Sequence, residues 1–273
     1  MKRVFVLLPA FNEEESLPQM LPKIADTFKN QAVEYKILIA NDGSSDRTLE
    51  LSQSYAATYP IEILNHKINR GLGETERDLF ERAAEIADGD DYIVRFDCDD
   101  THEPKFILDM VARIDVGFDV VIASRFQAGG GQMGVPAYRA LMSRLANLFM
   151  KLFFPISGVR EYSCGYRAYR ASLIKRAIKF YGNNFIQLKG LGFTGTLETI
   201  VKLKILNAKF SEVPFLLRYD QKLSASKMVS SITTFGYMVM VVLYHWPWGG
   251  WRRGYRKQLS ESSKSRNLHR VAA

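Results

Sequence analysis

The feature that most limits the fold is an alternation through the first half of the chain. Short, continuous apolar runs alternate with segments of helical periodicity. Residues 4–8, VFVLL, are a strand-forming run closed by Pro9. Residues 16–28 carry Leu17, Leu21, Ile24 and Phe28 at helical spacing. Further strands are expected at 35–40, 61–64, 92–96 and 119–123, with helices at 48–59, 79–87 and 104–114 between them. Apolar strands separated by amphipathic helices fit a mostly parallel sheet with helices on both faces. Such an α/β fold binds ligands at the carboxyl ends of its strands. Residues 9–13, 41–42, 97–99 and 124–125 all follow strands, so they should converge on one crevice.

After Arg125 the pattern changes. FQAGGGQMG is a glycine-rich loop, and the segment after it places Leu141, Leu145, Leu148 and Leu152 at helical spacing among Arg139, Arg144 and Lys151. KFSEVPFLLRY reads as one more strand, followed by the basic loop DQKLSASK. Residues 228–248 are apolar, but the continuous run, 237–244, is far shorter than the ~18–20 residues of a membrane span. Trp251, Arg252, Arg253, Arg256 and Lys257 follow it. Aromatic and basic residues together suit an amphipathic helix lying on an anionic membrane surface, or a core helix with a solvated tail. The reading is a catalytic domain over 1–227, a membrane-associating helix over 228–257 and a disordered basic tail over 258–273.

The formal net charge of +8 favours anionic partners. Two cysteines, Cys98 and Cys164, cannot build a disulfide framework, which points to a reducing compartment. The first apolar run is about six residues, shorter than the roughly 7–15 of a signal peptide. The expected location is therefore cytoplasmic, peripheral at the inner face of the membrane. GxSxG, HExxH and zinc-cysteine patterns are absent, and the four histidines show no ligand spacing.

The chemistry concentrates in RFDCDDTHEP. An apolar strand ends in Asp97, Asp99 and Asp100, whose mutual repulsion requires a helix N-terminus, a basic neighbour or a metal ion. Side chains two apart on an extended chain point the same way, so Asp97 and Asp99 form a hard-oxygen pair suited to Mg²⁺ or Mn²⁺. The alternative is that the acids cap the helix beginning at Pro104. The position at the end of the fourth strand favours the ion, with Asp100 left as a helix cap. Asp42 can meet a ligand base or ribose, or cap the next helix, for which Ser44, Ser45 and Asp46 are also available. Glu13 lies just past the first strand. Gly71-Leu72-Gly73 lacks the rest of a phosphate-binding pattern and reads as a tight turn. Arg125, Arg139, Arg167, Arg170, Arg218, Lys222 and Lys227 can hold phosphate.

Taken together, LLPAFNEEESL, IANDGSSDRT, RFDCDDTHEP, ASRF, YRALMSRLAN and EVPFLLRYDQKLSASKM resemble family 2 glycosyltransferases of the GT-A fold. More narrowly, they resemble the polyprenyl- (dolichyl-) phosphate mannose synthases, over most of residues 1–230. The resemblance implies that Pro9, Phe11, Glu13 and Asp42 surround the nucleotide base. It implies a divalent ion on Asp97 and Asp99, with Thr101 where the family usually has a third, glutamine ligand. Arg125, Arg139 and Ser143 would hold the acceptor phosphate, and the loop bearing Arg218, Lys222 and Lys227 would close over the donor. Departures are Phe11 for tyrosine, Glu161 for aspartate and Cys164-Gly165-Tyr166 for Ser-Gly-Phe.

The implied reaction is an inverting, metal-dependent transfer of a hexose, mannose from GDP-mannose, to polyprenyl phosphate. An alternative keeps the fold but uses UDP-glucose or UDP-GlcNAc and a soluble glycan or protein acceptor. A hydroxyl acceptor needs a base, for which Glu161 and Asp100 are the candidates. Nucleic acid is not an expected partner, because an acidic cluster at the sheet end repels a polyanion.

Overall fold

The computed structural model describes residues 2–223 and 230–271. The expected strands appear as β1 (Arg3–Ala10), β2 (Glu34–Asp42), β3 (Ile61–His66), β4 (Tyr92–Arg95) and β5 (Val120–Ser124). The helices between them are α1 (Leu17–Phe28), α2 (Thr48–Tyr55), α3 (Leu72–Ile86) and α4 (Ile107–Asp115). Short β6 (Gly131–Met133) follows, then α5 (Ala137–Phe153), β7 (Arg167–Arg170), α6 (Ala171–Tyr181) and α7 (Thr194–Ile205). The chain continues through β8 (Phe210–Pro214), β9 (Leu216–Arg218), α8 (Ser230–His245) and α9 (Gly250–Val271).

Seven strands form one sheet in the order β3-β2-β1-β4-β7-β5-β8. All its pairings are parallel except those of β7, which runs antiparallel between β4 and β5. β6 and β9 pair separately and in parallel. Phe5 and Leu7 face a core shared with α3, α6, α7 and α8, whereas Val4, Val6 and Leu8 face one built with α1 and α4. The period of two along β1 thus divides one strand between two cores.

α7 is buried nearly all round, so it lacks the polar stripe of a surface helix. Glu198 and Lys202 within it are fully buried and pair at 2.7 Å. Glu198 Oε2 accepts the backbone N–H groups of Gln187 and Leu188, each at 2.8 Å, and Tyr244 of α8 donates to Oε1 at 3.1 Å. This one carboxylate joins α7, the loop before it and α8.

The C-terminal region departs from the sequence reading. The expected single membrane-associating helix is two helices, α8 and α9, separated at residues 246–249. Trp251, Tyr255 and Leu259, each four residues apart, pack against the core, and Trp251 lies 5.5 Å from the Tyr244 ring. That apolar stripe carries α9 onward, so residues 258–271 are helical where polar composition suggested disorder. Among the described residues no helix is long and apolar enough to cross a membrane.

Glu198→Ala should leave Lys202 buried without its counter-ion, at a cost of about 3–5 kcal/mol. Chemical denaturation should show a clearly lower midpoint. An unchanged midpoint would remove the pair from the framework.

Candidate active site

A crevice of about 630 Å³ opens at the carboxyl ends of β1, β2 and β4. Its lining includes Pro9, Phe11, Glu13, Asp42, Asp97 and Asp99, from the three strand ends that the alternation brings together. Arg139 of α5 and Lys222, which follows β9, close it from the other side.

The loops leaving β1 and β2 are tied together. Asn12, in the left-handed region at φ 52°, donates its backbone N–H to Ser44 Oγ at 3.0 Å, and its side-chain oxygen accepts from Ser45 N–H at 2.9 Å. The N–H of Glu13 donates to Thr48 Oγ1 at 2.7 Å. Asp42 lines the crevice but also organises it. Its Oδ1 meets His66 Nδ1 and accepts the Arg70 N–H, both at 2.9 Å, and its Oδ2 accepts the Gly71 N–H at 2.9 Å. Those bonds set the start of α3. Gly71-Leu72-Gly73 is therefore the N-terminus of that helix and not a separate turn. Gly71 sits at φ 86°, a conformation that favours glycine.

The acidic cluster has basic neighbours. Asp97 pairs with Arg95 NH1 at 2.8 Å, Asp99 pairs with Lys222, and Asp100 pairs with Lys23 at 2.7 Å. Asp100 adopts φ 60° and caps no helix, which corrects the sequence reading. Thr101 donates its hydroxyl to Asp99 Oδ1 at 2.7 Å and is buried away from the crevice lining. As placed, it orients Asp99 and does not extend the oxygen set facing the crevice. His102 Nδ1 accepts the Asp97 N–H at 3.1 Å, and burial holds the imidazole pKa below its usual range, favouring the neutral acceptor. Burial opposes ionisation of Asp99, but the Lys222 ammonium and the Thr101 hydroxyl outweigh it and keep its carboxyl below the ordinary range.

Arg125 and Ser143 lie outside the lining of this crevice, within a buried network. The Arg125 guanidinium holds Glu161 through two bonds, at 2.8 and 2.9 Å, and also donates to Ser143 at 3.1 Å and Ser163 at 2.8 Å. Glu161 additionally accepts the backbone N–H groups of Ser163 and Cys164, at 3.1 Å each. Arg218 is turned to Asp220 and Glu103. Lys227 lies outside the described residues. Arg167 and Arg170, offered by sequence as phosphate ligands, serve the fold. Arg167 donates to the carbonyls of Tyr162 and Thr196, and Arg170 to those of Ile114 and Phe118.

Sequence reasoning missed Arg70, Lys189, Gly190, Phe193 and Tyr219, which also line the crevice. The stretch KGLGF, 189–193, carried a usable glycine signal, but its place opposite Asp42 depends on how α7 packs.

The oxygen pair fits a hard divalent ion. Asp97 and Asp99 both line the crevice, and the Lys222 ammonium already stands as a cation on Asp99. Among the described residues no group of three or more His, Cys, Asp or Glu is arranged to hold a metal. Two carboxylates alone suit an ion that takes its remaining ligands from water and substrate phosphate.

Fold and crevice together define a GT-A enzyme framework. The model of Glycosyl transferase family 2 matches residues 5–178, and the chain belongs to that family of glycosyltransferases. The dolichol-phosphate mannosyltransferase of Pyrococcus furiosus is 29% identical over 214 residues, which cover 78% of this chain and 56% of that protein. The undecaprenyl-phosphate mannosyltransferase of Micrococcus luteus is 29% identical over 231 residues, covering 84% of this chain and 89% of that one. Among solved structures, glucosyl-3-phosphoglycerate synthase from Mycobacterium tuberculosis, in complex with Mn²⁺ and UDP-glucose, superposes with a TM-score of 0.58. The superposition covers 89% of this chain and 78% of that one at 15% identity, a likeness of fold.

Burial alone would raise the Glu161 pKa, but Arg125 and the Ser163 donors hold it below the usual carboxylate range. A carboxyl depressed by folding stabilises the fold above its unfolded pKa of about 4.3 and loses that contribution as pH falls through the folded value. Glu161→Gln should therefore flatten the loss of stability in acid, below about pH 4.3, measured by denaturation across pH. A slope equal to wild type would mean that Glu161 is not held as its contacts indicate.

Proposed function

We propose that this protein transfers a hexose, mannose from GDP-mannose, to polyprenyl phosphate with inversion at the anomeric carbon, aided by Mg²⁺ or Mn²⁺. The observation that carries this reading is α5. That helix sends Arg139 to the crevice wall while exposing Leu141, Met142, Leu145, Leu148 and Leu152 on its surface. An acceptor with a phosphate head and a long apolar tail matches both features at once. α8 adds exposed Phe235, Met238 and Val242, followed by Trp246 and Trp248. Arg144 and Lys151 in α5 supply charge for an anionic membrane surface. We place the protein at the cytoplasmic face of such a membrane. Two of the proteins similar to this chain are named as dolichol-phosphate and undecaprenyl-phosphate mannosyltransferases.

The chemistry follows from charge. A phosphate acceptor has a second pKa near ~6, so its oxygen is ionised at neutral pH and attacks C1 without a protein base. The C1–oxygen bond to the donor diphosphate breaks as the new bond forms on the opposite face, and the nucleoside diphosphate departs. Asp97 and Asp99 would hold the divalent ion, which when bound supplies neutralisation of the leaving diphosphate. Arg139 orients the acceptor anion. Lys222 leaves Asp99 for the diphosphate when the donor arrives, so its charge is used twice. The locked carboxylates favour this acceptor over a hydroxyl. Glu161 is tied to Arg125 and Asp100 to Lys23, and neither lines the crevice.

Labelled GDP-mannose incubated with polyprenyl phosphate and Mg²⁺ or Mn²⁺ should give label in the organic phase. Asp99→Asn should lower that rate by at least about a hundredfold. Label that stays aqueous with GDP-mannose, UDP-glucose and UDP-GlcNAc alike would overturn the lipid acceptor. Leu145→Glu with Leu148→Glu should abolish flotation with anionic vesicles while leaving the circular dichroism spectrum intact; undiminished flotation would remove α5 from the membrane contact.

A further inference from the structure

We propose that Arg95, anchored by Glu76, is the positioning residue that presents the Asp97 carboxylate to the metal and diphosphate of the donor. The inference rests on the metal-dependent reading above and concerns how the chain readies its own ligand. Residues 92–96 read YIVRF, a buried central strand interrupted by an arginine. Arg95 is only 3% exposed, and a charge at such a site is costly unless it is paired.

The pairing runs in two directions. One arm of the guanidinium, NH2, meets Glu76 Oε1 of α3 at 2.5 Å, with both side chains 3% exposed. The other arm, NH1, meets Asp97 Oδ1 at 2.8 Å. Arg95 and Asp97 lie two residues apart at the end of β4, so an extended chain points them to the same side. A pair built only for stability would need Glu76 alone. The second arm instead reaches a crevice residue whose side chain is still 28% exposed. Arg95 thus fixes one oxygen of Asp97 and leaves the carboxylate's remaining capacity for the crevice. It also offsets the repulsion between Asp97 and Asp99.

The surroundings are shaped for this. A Cβ on Gly165, just before β7, would lie 1.8 Å from Arg95 NH1, so the backbone entering the strand that pairs with β4 makes room for the guanidinium only because that residue is glycine. Asp99 is oriented in a comparable way by the Thr101 hydroxyl. Each carboxylate of the pair therefore has its own support. Partners that orient a ligand are worth about 10–100-fold in metal affinity.

The test measures metal binding without turnover. Mn²⁺ is titrated into the full chain in the presence of GDP, and free Mn²⁺ is read by electron paramagnetic resonance. Arg95→Met combined with Glu76→Met removes both buried charges together and should weaken Mn²⁺ binding about 10–100-fold while unfolding cooperatively. Arg95→Lys keeps the charge but cannot reach both carboxylates at once, and its affinity should fall between wild type and the double variant. It carries the test alone if the double variant does not fold. Wild-type Mn²⁺ affinity in these variants, alongside its loss in Asp97→Asn, would make Arg95 a purely structural ion and overturn the proposal. Wild-type Mn²⁺ affinity in Asp97→Asn itself would overturn the metal reading, and the proposal with it.

Discussion

Charge compensation at the carboxyl end of β4 is the constraint on which the rest of this structure depends. Three carboxylates crowd the turn after one short strand, and each has its own cation. Arg95 comes from the strand itself, Lys222 from the segment after β9, and Lys23 from α1. Meeting that charge therefore brings together elements far apart in the chain. Arg95 in turn brings in Glu76 and so α3, whose start is fixed by Asp42. Glu161 shows the same logic in the buried network after β5, where Arg125 links it to α5 through Ser143.

The parallel half of the fold was legible because each strand is a short apolar run and each helix has one apolar face. Five strands and four helices between Arg3 and Ser124 answer to the expected ones, though α3 begins at Leu72, well before the expected 79, and the ends of β1, β2 and β4 meet at the crevice while Arg125 after β5 does not line it. β7 was not legible. Its sequence, RAYR, begins and ends with arginine, and a buried Arg167 is made tolerable by partners such as the carbonyls of Tyr162 and Thr196 that no local pattern announces. α7 was hidden for a related reason, since a helix buried on every side has no amphipathic stripe. Asp97 and Asp99 were readable as a pair from strand alternation. Their cations were not, because Lys222 lies 123 residues from Asp99 and no local pattern announces the contact.

The same constraint links binding to the surface. Lys222 neutralises Asp99 within the crevice, while α5 joins the crevice wall to an exposed apolar face. In the proposed reaction a charged donor and an amphiphilic acceptor would thus meet without exposing an uncompensated acid. Glu161 and Asp100, the candidate bases for a hydroxyl acceptor, are held by Arg125 and Lys23. Cations and the Asp97–Asp99 oxygen pair stand together in the crevice lining, a combination suited to the phosphates of the proposed substrates.

The most direct measurement is a crystal structure of the full chain with GDP and Mn²⁺, using anomalous scattering to locate the metal. An Mn²⁺ peak beside Asp97 and Asp99 is expected, with Lys222 withdrawn from Asp99 to the phosphate oxygens. A diphosphate bound with Lys222 still on Asp99 and no metal between the two aspartates would contradict that expectation.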